Sequence, residues 1–181
     1  MLKKIFWMAF VVLGMAGCAT MGGDAQKGPG SPPVLEKVFL SPEVNFKDVI
    51  KLYFRASDPD GDMEWVLTSI GQKLDVKGRP IHPGATRLRG EDQKSVSGYL
   101  FWDSSRAVAA QQGETVKGTI AIWVEDAAGN SSEKKYLPVT ILQKGAKIQS
   151  PLEGEYSEKE LGQILIDTRD LMHPRGGIDR R

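Results

Sequence analysis

The sequence TIAIWVEDAAGN, residues 119–130, sets the fold of this chain. In its first half Ile120, Ile122 and Val124 occupy every second position, which is the period of a β-strand with one buried face. Its second half is rich in the Asp, Gly and Asn residues that form turns. Another alternating run lies beyond the turn, at residues 134–142, so this part of the chain is predicted to contain two strands.

The same alternation occurs upstream. One apolar face is formed by Ile50, Leu52, Phe54 and Ala56. Three more runs are predicted to be strands: residues 35–40, 64–70 and 95–102. Because no convincing helical period precedes residue 157 and six or seven short strands are present, the sequence predicts an all-β, two-sheet sandwich at residues 34–143.

Three passages in this region resemble those of the bacterial immunoglobulin-like domains of envelope proteins. They are a Pro-rich entry at residues 31–34, the Asp-rich turn ASDPDGD at residues 56–62, and a D-x-x-G-N turn at residues 126–130. The resemblance implies an immunoglobulin-like sandwich, a fold that by itself says little about function. Residues 77–94 depart from the family as a long polar stretch, which is expected to be disordered, a surface excursion or a binding loop.

The N-terminus has the features of an export signal. Lys3 and Lys4 precede an uncharged run at residues 5–16, which is shorter than the roughly 20 apolar residues that a spanning helix needs. Small residues then lead to Cys18, the only cysteine of the chain. This segment resembles the lipobox of bacterial lipoproteins, which implies that residues 1–17 are a cleaved signal peptide and that the Cys18 sulfur carries a lipid. The alternative is an ordinary secretory signal with a chance cysteine.

A lipid on this cysteine would place the protein at a membrane. Several acyl chains hold a protein durably on a bilayer, so no transmembrane helix is needed. In the lipoprotein family the residue after the cysteine influences sorting, and Ala19 is not the acidic residue associated with inner-membrane retention. The resemblance therefore implies a cell-envelope protein, on the outer membrane if the host has one. Residues 18–33, rich in Gly and Pro, are predicted to be a flexible linker.

Charge and motifs narrow the range of functions. The chain has 24 basic and 23 acidic side chains, and Lys3 and Lys4 would leave with the signal peptide, so the mature protein is nearly neutral. Such a chain has no long-range field to gather nucleic acid, which is not expected as a partner. The sequence has no G-x-S-x-G or H-E-x-x-H motif and only two histidines. We therefore expect a protein that is not an enzyme.

Three aspartates alternate along one turn, at Asp58, Asp60 and Asp62. A hard cation such as calcium, which takes six to eight oxygen ligands, would relieve the repulsion among their carboxylates. In an immunoglobulin-like sandwich this turn shares one end with the turn that carries Asp126 and Asn130, so all five side chains are candidate calcium ligands. The spacing is not that of an EF-hand loop, and an ordinary acidic turn screened by solvent is the alternative. No other cofactor is expected.

Aromatic rings and a C-terminal extension give a second candidate surface. Tyr53, Trp123 and Tyr136 fall on strand faces opposite the core, where exposed rings stack on sugars or bind proteins. The alternative is that another part of the chain covers them. Within the extension at residues 144–181, a capping-box pattern and apolar residues at helical spacing predict a helix at residues 158–172. This helix is expected to pack on its own sandwich or to engage another protein, unless residues 164–166 form a strand instead.

These observations favour a lipid-anchored envelope protein. Its immunoglobulin-like domain is expected to bind another envelope component or to serve as a structural module. The alternative is a calcium-dependent adhesion or glycan-binding domain, which would use the acidic turns and the outward aromatic rings.

Overall fold

A computed structural model describes residues 29–70, 84–106, 113 and 115–164. The predicted signal peptide, Cys18 and most of the predicted linker lie outside these described residues, as do residues 165–172 of the predicted helix. No helix among the described residues is long and apolar enough to cross a membrane.

The described part of the chain is built from β-strands. They are β1 (Val34–Phe39), β2 (Glu43–Asn45), β3 (Val49–Ser57), β4 (Met63–Ile70), β5 (Gly84–Arg87), β6 (Ser95–Asp103), β7 (Val116–Asp126), β8 (Lys135–Leu142) and β9 (Glu160–Gln163). Short 3-10 turns at Gly90–Gln93 and Ser104–Arg106 flank β6. All six of the strands predicted from alternation are present, as β1, β3, β4, β6, β7 and β8.

The strands form two sheets. One has the order β1-β3-β6-β9 and the other the order β2-β8-β7-β4-β5. Neighbouring strands are antiparallel, except that β2 is parallel to β8 and β6 is parallel to β9. The orders β1-β3-β6 and β8-β7-β4 correspond to strands A-B-E and G-F-C of an immunoglobulin-like sandwich. The predicted all-β, two-sheet sandwich is therefore confirmed.

The core lies between the sheets and follows from the alternation. Six side chains of β3 and β7 have no solvent exposure: Leu52, Phe54, Ala56, Ile120, Ile122 and Val124. Each occupies every second position of its strand, because successive side chains of a strand point to opposite faces. The core faces predicted for these two strands are confirmed. The largest fully buried side chain, Trp102 of β6, packs with them.

Three strands were not predicted from the sequence. β2 is only three residues long and pairs with the end of β8. β5 lies within the polar stretch at residues 77–94 and pairs with β4, so this part of the stretch belongs to the sheet. Residues 77–83 of the stretch, with His82, lie outside the described residues. The third strand, β9, replaces the predicted helix.

The helix predicted at residues 158–172 is wrong over its described part. The chain there forms β9, which runs parallel to β6 at the sheet edge. Gly162 has a φ of +154°, which is not helical, and a Cβ at this position would lie 2.8 Å from the Thr86 side chain of β5. Leu161 and Ile164 pack against the core. Pairing with a sheet edge and burial of these side chains outweigh the marginal helical preference of a short segment.

Residues 144–164, which we call the C-terminal strap, cross the outer face of the first sheet before they end as β9. The Gln149 N–H donates to Ser41 Oγ at 3.0 Å, near the end of β1. Further along, two carboxylates of the strap pair with lysines of β1 and β3: Glu155 with Lys37 at 2.8 Å, and Glu158 with Lys51 at 2.8 Å. The strap thus covers the face of the sheet that is opposite the core.

Candidate metal centre

Two acidic turns meet at one end of the sandwich. β3 leads into the turn at residues 58–62, which carries the chain to β4 in the other sheet. β7 ends at Asp126, which is the register partner of Met63 at the start of β4. The Ala127 N–H donates to the Asp62 carbonyl at 3.0 Å and so holds the two turns together. Strand register, and not local sequence, brings the turns into contact.

Three carboxylates converge where the turns meet. Asp58, Asp62 and Asp126, which we call the acidic triad, each offer an oxygen that lies within 4.8 Å of the other two. Asp58 is 2% exposed and Asp126 is 3% exposed, whereas Asp62 is half-buried. Burial of adjacent carboxylates is unfavourable unless hydrogen bonds, a proton or a cation compensates the charge.

Hydrogen bonds satisfy part of the triad. Asp126 Oδ1 accepts from the Asn130 N–H at 2.7 Å, and Asp126 Oδ2 accepts from Asn130 Nδ2 at 2.8 Å. Asp58 Oδ1 accepts from the Asp60 N–H at 2.9 Å, in a local turn typical of aspartate. Both carboxylates are therefore held in fixed orientations by their own turns.

Two carboxylate oxygens of the triad are left without a partner. Asp58 Oδ2 and Asp62 Oδ1 are buried and accept no hydrogen bond. Among the described residues only one other buried side-chain nitrogen or oxygen, Trp102 Nε1, has no hydrogen-bond partner. Because the large majority of buried polar atoms are hydrogen-bonded, two orphaned oxygens in one cluster call for a cation or for a proton shared between the carboxylates.

The electrostatic environment of Asp62 also favours a compensating positive charge. Burial, followed by the neighbouring Asp58 carboxylate, raises the pKa of Asp62, and the charges of Asp126 and Asp60 add to this effect. The negative charge of Asp62 is thus disfavoured by its surroundings. A divalent cation among the three carboxylates would reverse that balance, because an opposite charge at close range favours the ionised form.

The donor set fits calcium. Calcium bonds oxygen at about 2.3–2.6 Å, so two oxygens on one ion can be at most about 5 Å apart. The three oxygens of the triad lie within 4.8 Å of one another and meet that limit. The triad offers hard oxygens alone, which suits calcium and not zinc, whose sites favour histidine and cysteine. Three carboxylates would supply half or less of the six to eight ligands of calcium, with carbonyls and water completing the shell.

The structure brings together three of the five residues predicted as ligands. Asp60 and Asn130 take other positions, although both adjoin the triad. Asp60 Oδ2 accepts from the Ser31 N–H, and the Asn130 side chain donates to Asp126. The contact with Ser31 is not predictable from the sequence, because a residue in a Gly- and Pro-rich entry has no periodicity or motif that would indicate its partner.

The predicted aromatic surface is wrong for two of its three rings. Tyr53 is 7% exposed and Trp123 is 4% exposed, and only Tyr136, at 67%, is open to solvent. The strap covers Tyr53. The centroid of the Tyr53 ring lies 5.7 Å from the centroid of the Tyr156 ring, and the Tyr53 hydroxyl donates to Glu158 Oε1 at 3.0 Å. Tyr53 also belongs to one sheet and the other two rings to the opposite sheet, so the three do not form one surface.

Trp123 is flanked by a residue of β4 and by the residue that precedes β8. Lys134 Nζ lies 4.4 Å from the ring centroid, in a cation–π contact. Leu67 of β4 is its register partner on the other side. A ring in the middle of a five-stranded sheet is flanked on both sides, which alternation along a single strand does not reveal.

Comparisons with known proteins add a likeness in fold. The chain matches no protein-family model, and no curated protein matches it significantly. Among solved structures it is similar to the PKD domain of an M14-like peptidase from a Thermoplasmatales archaeon, with 18% identity and a TM-score of 0.39. The match covers 63% of this chain and 99% of that domain. A likeness of this degree carries no information on activity.

Proposed function

We propose that this protein is a non-enzymatic, lipid-anchored sandwich module of the cell envelope, and that its acidic triad binds calcium. The observation that carries the proposal is the pair of buried oxygens without a partner, Asp58 Oδ2 and Asp62 Oδ1. A cation placed between them would give both a ligand and would offset the repulsion with Asp126.

An ordinary acidic turn accounts for fewer of these features. In such a turn the carboxylates cap backbone N–H groups or lie in water, where solvent and salt screen their charges. Asp58 and Asp126 are instead almost fully buried. Calcium binding explains why carboxylates from two separate turns are buried against one another.

The membrane anchor is supported by the sequence. The apolar leader, the small residues before Cys18 and the Gly- and Pro-rich segment after it form the order expected of a tethered protein. β1 begins at Val34, whose register partner is Ser57, the residue before the acidic turn. A tether that enters here would place the acidic end of the sandwich nearest to the membrane.

Thermal melting of the full chain in detergent tests the calcium site. At a calcium concentration 100 times the dissociation constant, binding to the folded state alone would stabilise it by about 2.7 kcal/mol. For a chain of this size that corresponds to an increase in melting temperature of about 5–10 °C relative to a sample with chelator. An unchanged melting temperature at millimolar calcium would exclude the site.

A further inference from the structure

The end of the N-terminal linker is fastened to the same acidic turn. The N–H of Ser31 donates to Asp60 Oδ2. Gly30, with a φ of +122°, lies against the same carboxylate: a Cβ added there would be 3.0 Å from Asp60 Oδ2 and 3.8 Å from Asn130 Nδ2. Glycine permits both the positive φ and the close approach. We call Gly30 and Ser31 the linker junction.

Asp60 and Asn130 connect the linker junction to the acidic triad. The Asp60 N–H donates to Asp58 Oδ1 at 2.9 Å. The Asn130 side chain donates to Asp126 Oδ2 at 2.8 Å. Asp60 therefore contacts the backbone of the linker junction and also orients Asp58. Asn130 lies next to the junction and orients Asp126.

We infer that calcium binding at the acidic triad clamps the linker junction, so that the ion fixes the orientation of the sandwich relative to its membrane tether. The inference rests on the calcium site proposed above. Asp60 lies midway between Asp58 and Asp62, and an ion that binds both would hold the turn closed on either side of Asp60. Without the ion, the repulsion among these carboxylates favours an open turn, which withdraws Asp60 from Ser31.

Amide hydrogen exchange at Ser31 in the full chain measures the clamp directly. With calcium, exchange at this amide is expected to be about tenfold slower than with chelator, because its hydrogen bond to Asp60 opens less often. Melting temperature is recorded on the same samples. If calcium raises the melting temperature and exchange at Ser31 is unchanged, the clamp is refuted while the calcium site stands. If neither quantity responds, the calcium site is refuted and the clamp with it.

A variant at the junction separates the clamp from the metal site. Gly30→Val adds a Cβ against the Asp60 carboxylate and disfavours the positive φ, but it removes no carboxylate and does not touch the acidic triad directly. We expect fast exchange at Ser31 with and without calcium, together with a retained calcium-dependent increase in melting temperature. Gly28→Val, the same change two residues earlier in the linker, is the matched control and should keep the protection. Protection that survives in Gly30→Val would overturn the clamp.

Discussion

Asp62 is the side chain at which the calcium site makes its sharpest prediction. Its Oδ1 is buried without a hydrogen-bond partner, and the carboxylates of Asp58 and Asp126 lie next to it. In the calcium-free protein its charge is therefore unfavourable. In the calcium-bound protein the same carboxylate would be a ligand of the ion, and its negative charge would be favourable.

Replacement of Asp62 by asparagine should have opposite effects in the two states. Asp62→Asn removes the repulsion, so the melting temperature of the calcium-free protein is expected to rise, while the further increase on addition of calcium disappears. Differential scanning fluorimetry with calcium and with chelator measures both quantities. Glu153→Gln, which changes an exposed carboxylate of the strap, is the control and should alter neither. A variant that melts lower than the wild type and still responds to calcium would contradict the site.

The sequence predicts which carboxylates form the acidic triad better than it predicts the contacts of the residues around them. Asp58, Asp62 and Asp126 are predictable from the sequence because turn residues and strand ends have local signatures. The side-chain direction of Asp60 within the turn was not predictable, since residues outside a strand do not follow its period of two. The burial of Tyr53 depends on Tyr156 and Glu158, which are about a hundred residues away in the chain.

Among the strands, β9 depends on a close backbone approach at Gly98 of β6. A Cβ at Gly98 would collide with the Lys159 carbonyl and lie 2.9 Å from the Leu161 side chain. The carbonyl also accepts from the Tyr99 N–H at 2.9 Å, so it cannot move away without loss of that hydrogen bond. β9 is thus held at the sheet edge by a contact that only glycine permits.

Gly98→Ala is therefore expected to displace β9. Overpacking of this kind destabilises a protein by about 1–3 kcal/mol, which unfolding in urea would report as a lower midpoint. Ser95→Ala, at an exposed position of the same strand, is the matched control and should change the midpoint little. Equal midpoints for the wild type and Gly98→Ala would show that β9 does not pair with β6 as described.

Attachment of the strap is expected to depend on pH. The hydrogen bond with Lys51, followed by that with Tyr53, lowers the pKa of Glu158, and the hydrogen bond with Lys37 lowers the pKa of Glu155. A carboxylate with a lowered pKa stabilises the folded state above the usual pKa of glutamate, about 4.3, and this contribution is lost as pH falls through its folded value. Acid should therefore loosen the strap.

Near-ultraviolet circular dichroism, which reports the packing of Tyr53 with Tyr156, is the measurement for this prediction. The tyrosine signal is expected to decrease as the pH falls from about 4.5 to about 3. In a variant with both Glu155→Gln and Glu158→Gln the signal should be weaker at neutral pH and less sensitive to acid. The same acid response in the variant and the wild type would contradict the role of these ion pairs.

The alternation of apolar and polar residues predicted the strands that bury one face, such as β3 and β7. It did not predict β9, the strand at the sheet edge. β3 and β7 each carry an apolar side chain at every second position, so their sequences alone define a core face. β9 has only four residues, and its pairing partner lies about sixty residues earlier in the chain. The apolar side chains of Leu161 and Ile164 are three residues apart, a spacing that also fits a helix, and only the tertiary contacts at Gly98 and Thr86 favour the strand.

If Cys18 carries a lipid, the N-terminal segment would define which end of the sandwich faces the membrane. The linker joins β1 beside the acidic turn. If Cys18 carries the lipid, Cys18→Ser is expected to move the protein from the membrane fraction to the soluble fraction of the envelope. Thr20→Ser, a conservative change two residues later, is the control and should stay with the membrane. A Cys18→Ser variant that sediments with membranes as the wild type does would refute the anchor.

Calcium binding at the acidic triad is the claim on which the proposed metal centre and the linker clamp both depend. Isothermal titration calorimetry of calcium into the purified full chain tests it most directly. We predict that one ion binds per chain, with a dissociation constant of about 10 μM or tighter, and that Asp62→Asn binds none. Absence of binding to the wild type at millimolar calcium, or equal binding to Asp62→Asn, would contradict the claim.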